Sequence, residues 1–297
     1  MFDKKRLKIG FIGFGEVASA LTQRMKGLGG DIMAYDRFAD RVKKKADELG
    51  VPLAGRIADL MGSCNLILST NSPAVALEVA NEATEFLSAG RIYCDFNSIS
   101  PETTEKIQQA ISHTGADFVK IAIMAAIPDR GYAVPLLAGG TKARDVAEIF
   151  SNLGLDIRDI GEDPRQAAAF KILRSICLKG IVALVYEMIR GAEKYGIVDE
   201  VLESASEVMS KASFKETVNN WLSSTAIHAE RRAKEMEEAI ETMEALGFDP
   251  VMSVGTKKIF EEIAGFKLDE LFQGKIPDSF DKVLEKINKL PSSHSLD

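Results

Sequence analysis

Residues 8–20 read KIGFIGFGEVASA, and within them Gly13, Gly15 and Ala18 fall at the spacing G-x-G-x-x-A. Each position has a physical job. Gly13 permits the tight turn out of a strand, Gly15 lets backbone approach a diphosphate without a Cβ in the way, and Ala18 allows a helix to lie close on the strand. Phe14, Gly15, Glu16 and Val17 then present backbone N–H groups at the start of a helix, where the macrodipole also favours an anion. The context on both sides fits. Leu7–Gly13 is a continuous apolar strand, Val17–Leu28 has helical spacing, and Asp31–Tyr35 reads as a second strand ending at Asp36, 21 residues past Gly15. A carboxylate there accepts hydrogen bonds from ribose hydroxyls and repels a 2′-phosphate, whereas an arginine just after the strand, here Arg37, can grip one. The pattern predicts a dinucleotide cofactor, NAD or NADP, with NAD slightly preferred.

Outward from this turn, short apolar runs alternate with helical stretches. Strands are expected at Asn65–Thr70, Arg91–Asp95 and Phe118–Met124, with helices near 73–87 and 101–112 between them; Val134–Ala138 and Leu155–Ile160 add two more around a helix at Ala143–Leu153. Such alternation calls for a parallel sheet with crossover helices. The character changes at Gly161-Glu162-Asp163-Pro164, where Asp163 can cap a helix that begins on Pro164. That helix is expected to run to about Lys194, roughly 45 Å. It is apolar on most of its circumference, so it needs cover on all sides, from packed domains or a second copy. Further helices follow near 198–210, 213–247 (broken once), 250–264 and 278–289, before a frayed tail PSSHSLD. The fold class is therefore α/β, a Rossmann-type domain at 1–162 followed by an all-α domain at 163–297, with a homodimer expected from the surplus apolar surface.

Composition narrows the partners. A chain of 297 residues with 46% hydrophobic and 27% charged residues has an ordinary globular balance. Its net charge of −7 argues against a nucleic-acid surface. No apolar run approaches the roughly 18 residues of a membrane helix. Three scattered cysteines, Cys64, Cys94 and Cys177, offer neither a disulfide framework nor a zinc site, and no ligand cluster for another metal is visible. No signal-peptide cleavage pattern follows the charged start, so the cytoplasm is the expected compartment. The absence of G-x-S-x-G speaks against a nucleophile-elbow hydrolase.

Three further strings complete the reading: Asn71-Ser72-Pro73-Ala74 after a strand, DFNSISP at 95–101, and AAAFKILRS around Lys171. With GFIGFG, they make the chain resemble the β-hydroxyacid dehydrogenases, which include 3-hydroxyisobutyrate and 6-phosphogluconate dehydrogenases. The resemblance implies that Asn71 and Ser72 face the cofactor. It sets Asn97 and Ser98, in a D-x-S-T-like element, beside the nicotinamide and the substrate; the same segment also reads as a helix cap before Pro101. It makes Lys171 the catalytic lysine. The chemistry is apt, because a hydride leaving an alcohol carbon requires the hydroxyl proton to go elsewhere, and a desolvated lysine can take it. Arg174 and Ser175 share the face of Lys171 by i, i+3 and i+4 spacing and could hold an anionic hydroxyacid. A weaker match at Lys234-Glu235-Met236 brings Lys234 toward the cofactor, and HAERRAKEM at 228–236 offers His228 and Arg231 as substrate contacts or as members of an exposed ion-pair network.

Several positions depart from the family pattern. Ala125, Ala126 and Ile127 stand where it has serine and glycines, which predicts a more apolar pocket floor. Ser175 stands in the usual asparagine place, and Arg165 and Ala167 where glycines usually precede the lysine. The reading that results is an NAD(P)-dependent oxidoreductase acting on a 3-hydroxyacid or related carbonyl compound. Two alternatives stay open. One is C=N reduction of the imine-reductase kind, whose members commonly replace the lysine; the other is a catalytically silent nucleotide sensor.

Overall fold

A computed structural model describes residues 7–291. The run Lys4–Arg6 and the tail after Pro291 lie outside the described residues. The chain divides into two compact units, Met1–Ile176 and Cys177–Asp297.

The first unit alternates as its sequence requires: β1 (Lys8–Ile12), α1 (Glu16–Gly27), β2 (Asp31–Tyr35), α2 (Ala39–Leu49), α3 (Ile57–Ser63), β3 (Leu66–Ser69), α4 (Ala76–Thr84), β4 (Ile92–Asp95), α5 (Pro101–Ser112), β5 (Asp117–Ile123), α6 (Ile127–Arg130), β6 (Leu136–Gly139), α7 (Ala143–Asn152) and β7 (Ile157–Asp159). The strands form one sheet in the order β2-β1-β3-β4-β5-β6-β7. Strands β2 to β5 are parallel. The expected parallel sheet is found over these strands; β6 runs antiparallel to β5, and β7 parallel to β6. A parallel return needs a full crossover helix; between β5 and β6 the chain holds only the single-turn α6 and a short 3₁₀ turn, so it comes back as a hairpin-like arm.

Burial on both faces explains the near-continuous apolar strands. One face packs Ile9, Phe11, Leu66 and Val119 against Leu21, Met25, Val146 and Phe150. The other packs Ile12, Ile67, Tyr93 and Phe118 against Leu60, Val79, Ile107 and Ile111. Because β1 has β2 on one side and β3 on the other, the strand order reverses there, and the carboxyl ends of β1 and β3 flank a ligand crevice.

The helix α8 (Pro164–Tyr195) begins in the first unit and ends in the second. The second unit continues with α9 (Val198–Ser210), α10 (Phe214–Ala245), α11 (Val251–Gly265), α12 (Leu268–Leu271) and α13 (Phe280–Asn288). Ser213 and Glu216 close a reciprocal capping box at the start of α10. The expected break falls at His228, whose φ of −117° and ψ of 16° leave the helical region. Arg232 reaches back across this kink, donating from Nη2 to Ser224 Oγ at 2.9 Å and from Nη1 to Thr225 Oγ1. The Glu187 carboxylate of α8 accepts from Met252 N (2.8 Å), Ser253 N (2.9 Å) and Ser253 Oγ (2.6 Å), and so caps α11. Within one chain α8 is not covered as its sequence demands: Leu173, Ile176 and Val182 are 62, 67 and 68% exposed. Among the described residues no helix is long and apolar enough to cross a membrane.

Candidate active site

The glycine turn sits at the crevice. Gly13 has φ of +87°, and a Cβ there would stand 2.7 Å from Asn71 Oδ1, so glycine is required both by conformation and by the approach of Asn71. Its N–H donates to Tyr35 O at 2.8 Å and its C=O accepts from Thr70 Oγ1 at 2.7 Å, which fastens the turn to β2 and β3. Gly15 caps α1 without a side chain and nothing lies within 4 Å of the place its Cβ would take. No side chain caps the first turn of α1. A cavity of about 490 Å³ adjoins it, lined by Phe14, Gly15, Glu16 and Ser19 and by Arg41 and Lys45 of α2. These features fit the diphosphate of a dinucleotide.

Asp36 follows β2 as expected, and its two oxygens accept from Phe14 N (2.9 Å) and Phe38 N (2.8 Å). The carboxylate thus ties the glycine turn to the segment that would meet a ribose. Arg37 is exposed and paired with Glu78 at 3.1 Å and Glu82 at 3.5 Å, both on α4. Hydrogen bonding to Glu78 raises its pKa above the ordinary arginine value.

Behind the crevice lies a buried polar chain between β3, β4 and β5. Asn71 Nδ2 donates to Ser69 Oγ (3.0 Å), as does Asn97 Nδ2 (3.1 Å), and Asn97 Nδ2 also donates to Asp95 Oδ2 (2.6 Å). Asp95 Oδ1 accepts from Asn97 N at 3.1 Å and from Lys120 Nζ at 2.7 Å. Lys120 donates further to the carbonyls of Asp95 (3.0 Å), Asn97 (2.6 Å) and Ile121 (3.2 Å). Asp95, Asn97 and Lys120 are all buried. Burial pushes the Lys120 ammonium below the ordinary lysine range, while Asp95 works in the opposite direction.

From this floor the turn emerges at Ser98, which is exposed, and Lys171 Nζ from α8 donates to Ser98 Oγ at 2.7 Å. Lys171 is half-buried. One helical turn on, Arg174 Nη2 donates to Met124 O at the end of β5 (2.6 Å), which places a guanidinium beside Lys171. Ser175 Oγ donates back to Lys171 O at 2.9 Å. Ser100 caps α5 by accepting from Thr103 N at 3.2 Å, so the segment serves as a helix cap and carries Ser98 as well.

Residues 8–161 match the family described as the NAD binding domain of 6-phosphogluconate dehydrogenase. The chain belongs to that family. Residues 192–263 match a second family, a domain of unknown function, DUF1932. An uncharacterized 28.5 kDa protein of Methanothermus fervidus is 31% identical over 257 residues, covering 86% of this chain and 99% of its own. A solved structure 32% identical to this chain, with a TM-score of 0.64, covers 91% of it and 100% of its own length. It is a conserved protein of unknown function with structural similarity to 3-hydroxyacid dehydrogenases. An imine reductase of Bacillus cereus reaches a TM-score of 0.76 at 15% identity over 96% of this chain and 100% of its own, which shows a shared fold.

Within this 6-phosphogluconate dehydrogenase-like unit the structure brings together Gly13, Phe14, Asp36 and Asn71, and joins Asn71 through Ser69 Oγ to Asn97, which precedes Ser98 and its donor Lys171. Ser72 is exposed at the turn after β3. Ala125 and Ala126 follow β5 as half-buried and exposed residues and Ile127 is buried, so apolar side chains stand where the family pattern has serine and glycines. In the second unit Arg231 pairs with Glu235, and Lys234 pairs with Glu230 at 3.0 Å; all four are exposed. His228 marks the kink in α10. The sequence reading missed Ser69, Asp95 and Lys120. A signal was present: a lone lysine inside the apolar run Phe118–Met124 must find buried acceptors, and the aspartate opening DFNSISP is the nearest strand-end carboxylate.

Proposed function

We propose that the chain is an NAD-dependent dehydrogenase that transfers hydride between the cofactor and the alcohol carbon of a small anionic hydroxyacid, with Lys171 exchanging the hydroxyl proton. The observation that carries this reading is the 2.7 Å hydrogen bond from Lys171 Nζ to Ser98 Oγ at the end of β4. The nicotinamide, when bound, takes or gives the hydride. The protein's share is positioning and proton transfer. The backbone N–H groups of Gly15, Glu16 and Val17 would hold the diphosphate, and Asp36 would orient the ribose. Ser98 fixes the lysine amine against the reacting oxygen. In oxidation, neutral Lys171 accepts the hydroxyl proton as hydride departs; in reduction its ammonium returns that proton to the carbonyl oxygen. Arg174 offers a charge-assisted contact to a substrate carboxylate. The similarity of a 32% identical relative to 3-hydroxyacid dehydrogenases supports a 3-hydroxyacid over other alcohols.

Two features support NAD over NADP. Asp36 repels a 2′-phosphate, and Arg37, which could attract one, is already neutralised by Glu78 and Glu82. We further read the functional particle as a homodimer, since the exposed apolar stripe of α8 needs a cover.

The test is a pair of fluorescence titrations with NADH and NADPH, on wild type and Asp36→Ala. NADH should bind more tightly than NADPH, and the substitution should weaken NADH about tenfold (about 1.4 kcal/mol). A panel of 3-hydroxyacids then follows, with Lys171→Ala expected to lower kcat by roughly 10²–10⁴. Folded protein that binds neither nucleotide overturns the reading. Normal NADH binding with no turnover on any hydroxyacid leaves a nucleotide sensor instead.

A further inference from the structure

A charged pair inside a sheet is an expensive feature, and well-packed apolar residues of similar volume usually serve stability as well or better. Lys120 and Asp95 nevertheless sit almost wholly buried, 1% and 0% exposed, between β4 and β5. Where the pair spends its hydrogen bonds is informative. Of the four acceptors around Lys120 Nζ, three belong to a single turn: the Asp95 carboxylate, the Asp95 carbonyl and the Asn97 carbonyl. Asp95 in turn takes the N–H and the side-chain amide of Asn97. Asn97 is thus pinned at its N–H, its C=O and its side chain, and all three restraints lead back to the same ion pair. The peptide carbonyl gripped by Lys120 is the one that joins Asn97 to Ser98, and Ser98 is the residue that receives Lys171.

We propose that Lys120 and Asp95 are a positioning pair, which hold the Asn97–Ser98 peptide rigid so that Ser98 Oγ stays against the Lys171 amine. Neither residue touches the reacting atoms; both act through Ser98. The amide of Asn97 cannot turn over to release the turn, because its oxygen would then face the Asp95 carboxylate. The inference rests on the proton-transfer role given to Lys171, but it is tested without substrate or cofactor.

The experiment is competitive acetylation of the full-length protein with trace acetic anhydride across pH, read for each lysine by mass spectrometry. It compares wild type with Asp95→Asn/Lys120→Met, which removes both charges and strands neither, with Ser98→Ala, and with the triple variant. An acceptor on the ammonium favours the protonated amine. Freeing Ser98 should therefore lower the Lys171 midpoint by about half a unit and raise its labelling at pH 8 about threefold. Lys142, half-buried in the same unit and paired with Asp145 at 3.3 Å, serves as the internal reference and should not change. Ser98→Ala should produce the same shift, and the triple variant no additional one. If the double variant does not fold, Asp95→Asn alone should give a smaller shift in the same direction. An unmoved Lys171 midpoint in a folded pair variant, with Ser98→Ala shifting it, overturns the proposal. So does additivity in the triple variant, and so does a Lys171 that neither change moves. A failed labelling test leaves the dehydrogenase reading standing, and failed turnover with the labelling result intact removes only that reading.

Discussion

Tyr93, Phe11, Phe14 and Phe150 are hidden entirely in the first unit, whereas the buried apolar side chains described in the second are mostly small: Ala192, Ala226, Ala229 and Ala233, with Met243, Leu268 and Val283. Helix α9 has no buried residue at all. The larger apolar side chains of α8 and its neighbours, among them Ile176, Leu178, Val182 and Tyr186, are instead exposed. The sheet closes its own core by taking helices on both faces. The helical unit has the same kind of residues but leaves them exposed, the surface to which the proposed homodimer assigns a second copy. The proposed homodimer would stabilise the second half by association where the first is stabilised from within, and each could then be disturbed without the other.

The largest effect should come from unbalancing the first unit. Lys120→Met alone leaves the Asp95 carboxylate buried without its cation, at a cost of about 3–5 kcal/mol. Adding Asp95→Asn should restore most of that, measured as the midpoint of urea unfolding followed by sheet-sensitive circular dichroism. If the single change costs no more than the double, the pair is not acting as a coupled charge, and the first unit is less self-sufficient than its packing implies. Next comes the stripe on α8. Wild type should sediment as a dimer at micromolar concentration, and Val182→Glu should weaken dimerisation about a hundredfold, about 2.7 kcal/mol. The first unit's unfolding midpoint should stay where it was. A wild-type monomer at micromolar concentration removes the contrast altogether.

The same contrast explains what was legible in the sequence. The glycine turn, Asp36 and the strands around them could be read because period, turn chemistry and burial agree locally; β2 was expected at Asp31–Tyr35 and is found there. The antiparallel β6 was not legible, because direction depends on whether a crossover helix fits between Met124 and Pro135, and local pattern does not report that. Lys171 is singled out by a motif resemblance, and its hydrogen bond to Ser98, 73 positions away, is visible only in the folded chain. Lys120 was passed over because an apolar strand masks a single polar residue whose acceptors lie 23 and 25 positions away. For α8 the apolar circumference is plain in the sequence, but which surface would cover it is not written in the local pattern.

Alkaline pH should separate the units next. Burial pushes the Cys64 thiol up to about 11, from an ordinary 9.0. Between those values the unfolded chain releases a proton that the folded one keeps, so stability is full below pH 9 and falls as pH rises toward 11. The loss is on the order of 2 kcal/mol. Cys94 and Tyr93, also held above their usual ranges by burial, act in the same direction. Urea midpoints of the first unit between pH 8 and 10.5 should fall, and more gently in Cys64→Ala. Cys177, exposed on α8, should be the thiol that iodoacetamide modifies at pH 8.

The smallest effect is the most direct comparison, because it makes one change in both halves. Ser100 caps α5 in the first unit and Ser213 caps α10 in the second, each accepting a backbone N–H from the residue three places on. Replacing either by alanine removes one such bond, at about 1 kcal/mol. Equal energies need not give equal melting shifts. The shift is the energy divided by the unfolding entropy, which grows with the size of the cooperative unit. If the units melt separately, Ser213→Ala should lower the second unit's midpoint by about 4 °C or more and Ser100→Ala the first unit's by about 2–4 °C. Ser213 also donates its hydroxyl to Glu216 Oε2 at 2.7 Å, a charge-assisted contact that the alanine loses as well. Equal shifts in a single shared transition would instead show that the two units unfold as one, and that the helical half draws its stability from the sheet and not from a second copy.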